Sequence, residues 1–347
     1  MSFMESWPVS LKVVTFILAL IIGIFCLVKF CDIFVDASCS IAKKLHISEL
    51  IIGLTIVAMG TSCPELAVSV SDSISTLING GNANVAIGNV VGSNICNLLL
   101  VLGASCLFTP IIVKKSICKK EYPFLIGISI LLVIFVIFFG LNSFVGEYVV
   151  TRIEGIIFVL LIGVYIYLLI KSSKNNNEQI NEEVSEIKEI KLWKSIILVI
   201  VGCAGIIFGG EAVVFGAKGI ALEISDAAHL NHDLAEALIG LTIVAVGTSL
   251  PELVTSVVAS KKGQNELALG NVIGSNIFNT LFVLGISATV NPLTSGSQIV
   301  VDVIFMLVAT LLVFVFALKG KIGKVHGYIL LCLYLGYLAY LVTRTII

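Results

Sequence analysis

Residues Gly53–Leu66 read GLTIVAMGTSCPEL and residues Gly240–Leu253 read GLTIVAVGTSLPEL, identical at 12 of 14 positions. A second pair follows each of them. GNVVGSNICNLLLVLG runs from Gly88 to Gly103 and GNVIGSNIFNTLFVLG from Gly270 to Gly285, identical at 12 of 16. Two such pairs in the same order mark an internal duplication. The offset is 187 residues for the first pair and 182 for the second, so the connection near Asn79–Ala83 is five residues longer in the first half.

Around these motifs the chain is too apolar for a water-solvated domain. Of 347 residues 58% are hydrophobic and 12% charged, with a mean hydropathy of +1.10. A helix needs about 20 mainly apolar residues to cross a bilayer core, and ten runs of that kind occur, at 11–30, 47–71, 84–108, 123–140, 149–170, 194–216, 234–259, 265–289, 299–318 and 326–345. The expected fold is an all-α polytopic membrane protein. A polar stretch, 172–193, is expected as a linker between a first half, 1–171 with motifs at 53–103, and a second, 194–347 with motifs at 240–285.

The first run has no small-residue cleavage site after it, and Lys29, Cys31 and Asp32 follow directly, so it is expected as a retained span. A net charge of −1 with lysines in small clusters gives no basic face, which argues against nucleic acid as a partner. Nine cysteines without CxxC spacing read as small apolar packing residues.

With the N-terminus outside, 17 lysines and arginines fall on the inner side and four, Lys12, Arg152, Lys218 and Arg344, on the outer. Positive residues are held on the cytoplasmic side, so both termini are expected outside. Five spans, an odd number, separate one motif from its copy. The two halves are therefore expected to be inverted five-helix repeats, a pattern of secondary transporters with a site near the bilayer midplane.

Glu65 and Glu252 occupy matching places deep in apolar runs, with no Lys or Arg in either motif. A bare carboxylate at that depth costs several kcal/mol, so each must be protonated, paired or bound to a cation. A carboxyl kept neutral by burial is the plain alternative, and its duplication in opposite orientation counts against it. Pro64 and Pro251 precede the glutamates and are expected to free the carbonyls of Gly60 and Gly247. A lone proline would read as an ordinary kink. Thr61, Ser62, Thr248 and Ser249 beside those carbonyls favour a lined cavity.

On the partner runs Ser93 and Asn97 share a helix face, as do Ser275 and Asn279. Asn89, Asn94, Asn271 and Asn276 read better as hydrogen-bonding loose helix ends. Two carboxylates with hydroxyls, amides and carbonyls, and no duplicated Cys or His, suit calcium, magnesium or sodium rather than zinc or copper. Two negative charges balance one Ca²⁺, and competition of Na⁺ for the same oxygens is a sufficient basis for exchange.

GTSxPE and GNxxGSNIxN, each present twice, resemble the alpha repeats of the sodium/calcium exchanger family, within the cation/calcium exchanger superfamily. The resemblance implies exchange of Ca²⁺ for Na⁺ by alternating access, with no cofactor besides the transported ions. It implies calcium ligands at Glu65 and Glu252. The carbonyls of Ala58 and Ala245 and the side chains of Thr61, Ser62, Thr248, Ser249, Ser93, Asn97, Ser275 and Asn279 would complete the calcium and sodium sites. It also implies that the first and sixth spans slide across a rigid core. Asp36 stands where the second half has Gly216. Asp32, Asp36 and Glu211 read better as helix-end or packing residues than as parts of an ion path. A central loop too short for the calcium-sensing domains of animal exchangers implies a prokaryotic plasma-membrane protein.

The rival readings are a proton-coupled exchanger, a potassium-dependent exchanger and a cation channel. An intramembrane serine protease needs a general base near the GTS serine. His46, His229, His232 and His326 all fall at span ends or in loops, so an enzyme is not expected.

Overall fold

The computed structural model describes residues 7–45, 47–79, 85–139, 141–142, 147–175, 190–227 and 245–346. Among them, helices α1 (Val9–Leu45), α2 (Glu49–Thr61) and α3 (Cys63–Asn79) are followed by α4 (Val85–Phe108), α5 (Lys115–Phe138) and α6 (Arg152–Asn175). The second half has α7 (Leu192–Ala227), α8 (Ala245–Thr248), α9 (Leu250–Lys261), α10 (Asn265–Val290), α11 (Gln298–Leu318) and α12 (Lys324–Ile346). Eight of these are long and apolar enough to cross a membrane, and α2 with α3 makes a ninth span bent by 48°. The expected linker and the first part of the run at 234–259 lie largely outside the described residues.

Two features depart from the sequence reading. The first run was expected to end near 30, yet α1 continues through Lys29, Asp32 and Asp36 for 37 residues in all. No Gly or Pro interrupts 31–45, so nothing stops the helix, which at 1.5 Å per residue is about 55 Å long, longer than a bilayer core of about 30 Å. Short strands also interrupt the all-α expectation. Strand β1 (Ile111–Ile112) pairs antiparallel with β5 (Lys321–Ile322), and β3 (Glu147–Val150) lies between β2 (Leu141–Asn142) and β4 (Leu293–Ser295).

These strands constrain the path of the chain. Val150 pairs with Leu293, so the two lie on the same side of the membrane, and the chain between them must cross an even number of times. Long helices α6, α7 and α10 supply three crossings.

Two layers are evident from burial. The most apolar windows of α4 and α10 are 78% and 94% buried, against 17% and 28% for α1 and α7. The outer pair packs through glycines. A Cβ at Gly23 would lie 2.8 Å from the Gly209 carbonyl, one at Gly216 2.5 Å from the Phe16 carbonyl, and one at Gly202 2.8 Å from the Phe34 Cβ. Small residues let helices approach closely without a hydrophobic drive between them. The contacts advance along α1 while retreating along α7, so the first helices of the two halves run antiparallel, as inverted repeats require. An ion pair of 3.4 Å between Lys12 and Glu223 closes one end. Within the core, α2 meets α10 backbone to backbone, where a Cβ at Gly270 would sit 2.7 Å from the Leu50 carbonyl.

The inverted path has a direct check. On a cysteine-free background, Asn79→Cys is expected to react with a membrane-impermeant maleimide from outside and Lys261→Cys only from inside. Labelling of both from the same side would contradict the inversion.

Candidate ion-binding site

The site is built where two helices stop. Helix α2 ends at Ser62, with φ −85° and ψ 9°, and α8 ends at Ser249, with φ −88° and ψ 5°. The near-identical backbone follows from the shared GTSxPE sequence. At both prolines the helix is broken outright. Pro64 and Pro251 lie in the first turns of α3 and α9, where the missing N–H costs nothing and the fixed φ suits a helix start. Glu65 and Glu252 fall in those same first turns, and the positive ends of the helix dipoles favour their charge. The carbonyl ends of α2 and α8 carry the opposite partial charge and suit a cation, as in broken transporter helices.

The two halves interlock at this break. Both glutamates are completely buried. Ser62 of the first motif donates to Glu252 Oε1 at 2.9 Å, and Ser93 donates to Glu65 Oε1 at 3.3 Å. The hydroxyls of Thr61 and Ser275 approach to 3.5 Å, and those of Thr248 and Ser93 to the same 3.5 Å. Each pair is the image of the other under exchange of repeats.

Asn89 donates to the Glu65 carbonyl at 3.3 Å and to Ser69 Oγ at 3.0 Å, while Asn271 donates to the Glu252 carbonyl at 3.4 Å and to Ser256 Oγ at 2.9 Å. These asparagines hold the backbone of the carboxylates, in keeping with the helix-end role read from the sequence. Asn94 Nδ2 donates to Thr280 Oγ1 at 2.9 Å, while Asn94 Oδ1 and both amide atoms of Asn276 are buried without a hydrogen bond, so these two depart from the helix-end role read from the sequence.

What stays unpartnered is as informative. Glu65 Oε2, Glu252 Oε2, Ser249 Oγ and both amide atoms of Asn97 and of Asn279 are buried without a hydrogen bond. Buried polar atoms are nearly always paired, so orphaned oxygens on both carboxylates and on these motif residues call for a ligand. Neither carboxylate has a basic partner among the described residues. Asn97 and Asn279 each open a π-helical turn, Asn97–Val101 and Asn279–Val283. Such turns are frequent at functional sites, and this pair was not visible in the sequence because no residue pattern encodes them.

The family model described as sodium/calcium exchanger protein matches residues 15–171 and 194–343. The chain belongs to the sodium/calcium exchanger family. It is 37% identical over 326 residues to a putative antiporter, CaxA, of Alkalimonas amylolytica, covering 91% of this chain and 95% of that protein. It is 32% identical to the sodium/calcium exchanger MaX1 of Methanosarcina acetivorans, covering 93% and 97%. A solved structure of a sodium/calcium exchanger from Methanococcus jannaschii matches with TM-score 0.77 and 31% identity, covering 94% of this chain and 98% of that one. The protein is thus an integral membrane cation/calcium antiporter by family, and its relatives are exchangers rather than enzymes.

Other members of the exchanger's expected site are only partly free. The Ala58 carbonyl accepts the Ser62 N–H at 3.0 Å and the Thr61 hydroxyl at 3.4 Å, and Thr61 also reaches the Asn271 Oδ1 at 3.1 Å. The Gly60 carbonyl, expected to be freed by Pro64, accepts the Cys203 thiol at 3.2 Å. Ala245 opens α8, and the motif residues 240–244 before it lie outside the described residues. Asp32 and Asp36 form ion pairs with Lys262 at 3.3 and 2.7 Å, and Glu211 is exposed on α7. None of these three acids joins the buried cluster, but they lie inside α1 and α7 rather than at helix ends as read from the sequence.

Proposed function

We propose that this exchanger moves Ca²⁺ in one direction and Na⁺ in the other by alternating access at the site around Glu65 and Glu252. The observation that carries the reading is the convergence of two buried carboxylates from opposite-facing repeats, each with one oxygen unpartnered. Ca²⁺ takes six to eight oxygens, and two carboxylates cancel its charge. Glu65, Glu252, Thr61, Ser62, Thr248, Ser249, Ser93, Asn97, Ser275 and Asn279, with the carbonyls of Ala58 and Ala245, supply more oxygens than one calcium needs. The surplus is what several Na⁺ ions require when they take its place.

The architecture we propose around this site is ten spans in two inverted five-helix repeats, 1–171 and 194–347, joined by a cytoplasmic linker at 172–193. Antiparallel α1 and α7 and the crossing parity set by β3 and β4 support it. Lysine and arginine distribution supports both termini outside, in a prokaryotic plasma membrane.

Potassium is not part of the proposed cycle. Asn279 and its counterpart Asn97 are neutral, and an amide offers one oxygen and no net charge, where an aspartate would add the charge to hold a third kind of cation. Calcium uptake into sodium-loaded proteoliposomes is therefore expected to persist when all potassium is replaced by choline. An uptake that vanishes without potassium and returns with it would sink this reading. Asn279→Asp is expected to shift the cation dependence.

A further inference from the structure

One contact that ties the outer helix pair to the core beside the site involves two thiols. Cys63 sits between Ser62 and Pro64 at the break, and its thiol donates to the Met59 carbonyl at 3.2 Å. Cys203, on α7, donates to the Gly60 carbonyl at 3.2 Å. Gly60 and Cys63 share one face of the chain, three residues apart, and a Cβ on Gly60 would lie 3.4 Å from the Cys203 sulfur. The two thiols therefore sit on adjacent carbonyls of the same turn, those of Met59 and Gly60. Cys63 is exposed and Cys203 half-buried, and both are free. Leu250 stands at the place of Cys63 in the second repeat, so the pair is a feature of one repeat only.

We propose that Cys63 and Cys203 are a modification site: oxidation by a peroxide joins them in a disulfide that pins α7 to the core and arrests exchange. The sulfur of Cys63 attacks one peroxide oxygen, the O–O bond breaks, and one water leaves, giving a sulfenic acid. The Cys203 sulfur then displaces the hydroxyl as a second water. Two thiols and one peroxide become one disulfide and two waters. Bond formation brings two sulfurs seated on adjacent carbonyls to about 2.05 Å. Cys63 lies one residue from Ser62, which hydrogen-bonds Glu252, so the link is anchored at the ion site itself. The arrest rests on the alternating-access reading, in which one body moves against another; the covalent step does not.

The test uses the full chain in proteoliposomes, treated with hydrogen peroxide and then with dithiothreitol. Peptide mapping by mass spectrometry is expected to find the segments holding Cys63 and Cys203 linked, with the loss of two hydrogens. Sodium-driven calcium uptake is expected to fall by roughly tenfold or more and to return on reduction. Cys63→Leu, which copies the second repeat, and Cys203→Ser, which keeps a donor to the Gly60 carbonyl, are expected to transport like the untreated protein and to ignore peroxide. Absence of the linked peptide, or a linked protein that transports at the untreated rate, would overturn the proposal. A reduced protein without any flux would contradict the functional reading instead, and the linked peptide alone would then decide the disulfide.

Discussion

Glu65→Gln or Glu252→Gln is expected to abolish calcium flux in a protein that still folds. Each substitution keeps the size of the side chain and removes one of the two charges that neutralise Ca²⁺. A charge-assisted contact in a dry site is worth about 3 kcal/mol, which weakens calcium binding roughly 100-fold. Folding is expected to survive, because an uncompensated buried carboxylate is itself costly and Gln accepts the same bonds from Ser62 or Ser93. Calcium uptake in proteoliposomes and thermal unfolding in detergent separate the two effects. Wild-type uptake in both variants would remove these residues from the core of the site.

The second large effect is expected at Gly274, which holds the two halves together behind the site. A Cβ there would lie 2.7 Å from Leu54 Cα, 2.8 Å from Ala58 Cβ and 2.8 Å from the Leu54 carbonyl. Two of these neighbours are backbone atoms, so α2 itself must move. Overpacking of this kind costs about 2 kcal/mol, and the displaced segment carries Ala58, Thr61 and Ser62. Gly274→Ala is expected to lower both the thermal midpoint and calcium uptake, the latter roughly tenfold or more. Gly336→Ala on α12, where a Cβ meets nothing within 4 Å, is expected to match the wild type or gain slightly from better helix propensity. Equal behaviour of the two variants would refute the packing argument.

The site was legible in the sequence where chemistry conflicts with its surroundings. A carboxylate deep in an apolar run, repeated with its Thr, Ser and Pro neighbours, has few explanations, and Glu65 and Glu252 stand out for that reason. The partners of those groups were not legible. Ser62 is visible in the motif, but its bond to Glu252 of the other repeat arises only when inverted halves meet. The π-helical turns at Asn97 and Asn279 leave no pattern, since their residues look like any apolar helix. Helix boundaries failed at α1, because Lys29, Asp32 and Asp36 resemble the polar end of a span, whereas the helix continues and Lys262 pairs with both acids. Gly60 shows the same limit: removing a backbone donor frees a carbonyl, and a thiol from a helix some 140 residues later fills the vacancy.

The central claim, sodium-coupled calcium exchange at this site, is tested most directly by flux against imposed gradients. Proteoliposomes loaded with sodium and diluted into choline medium should take up calcium against its gradient, and the uptake should stop when sodium is equal on both sides. A pH gradient of either sign should not substitute for the sodium gradient, and Glu65→Gln should show no uptake. Calcium uptake that is indifferent to sodium and follows the pH gradient would contradict the account.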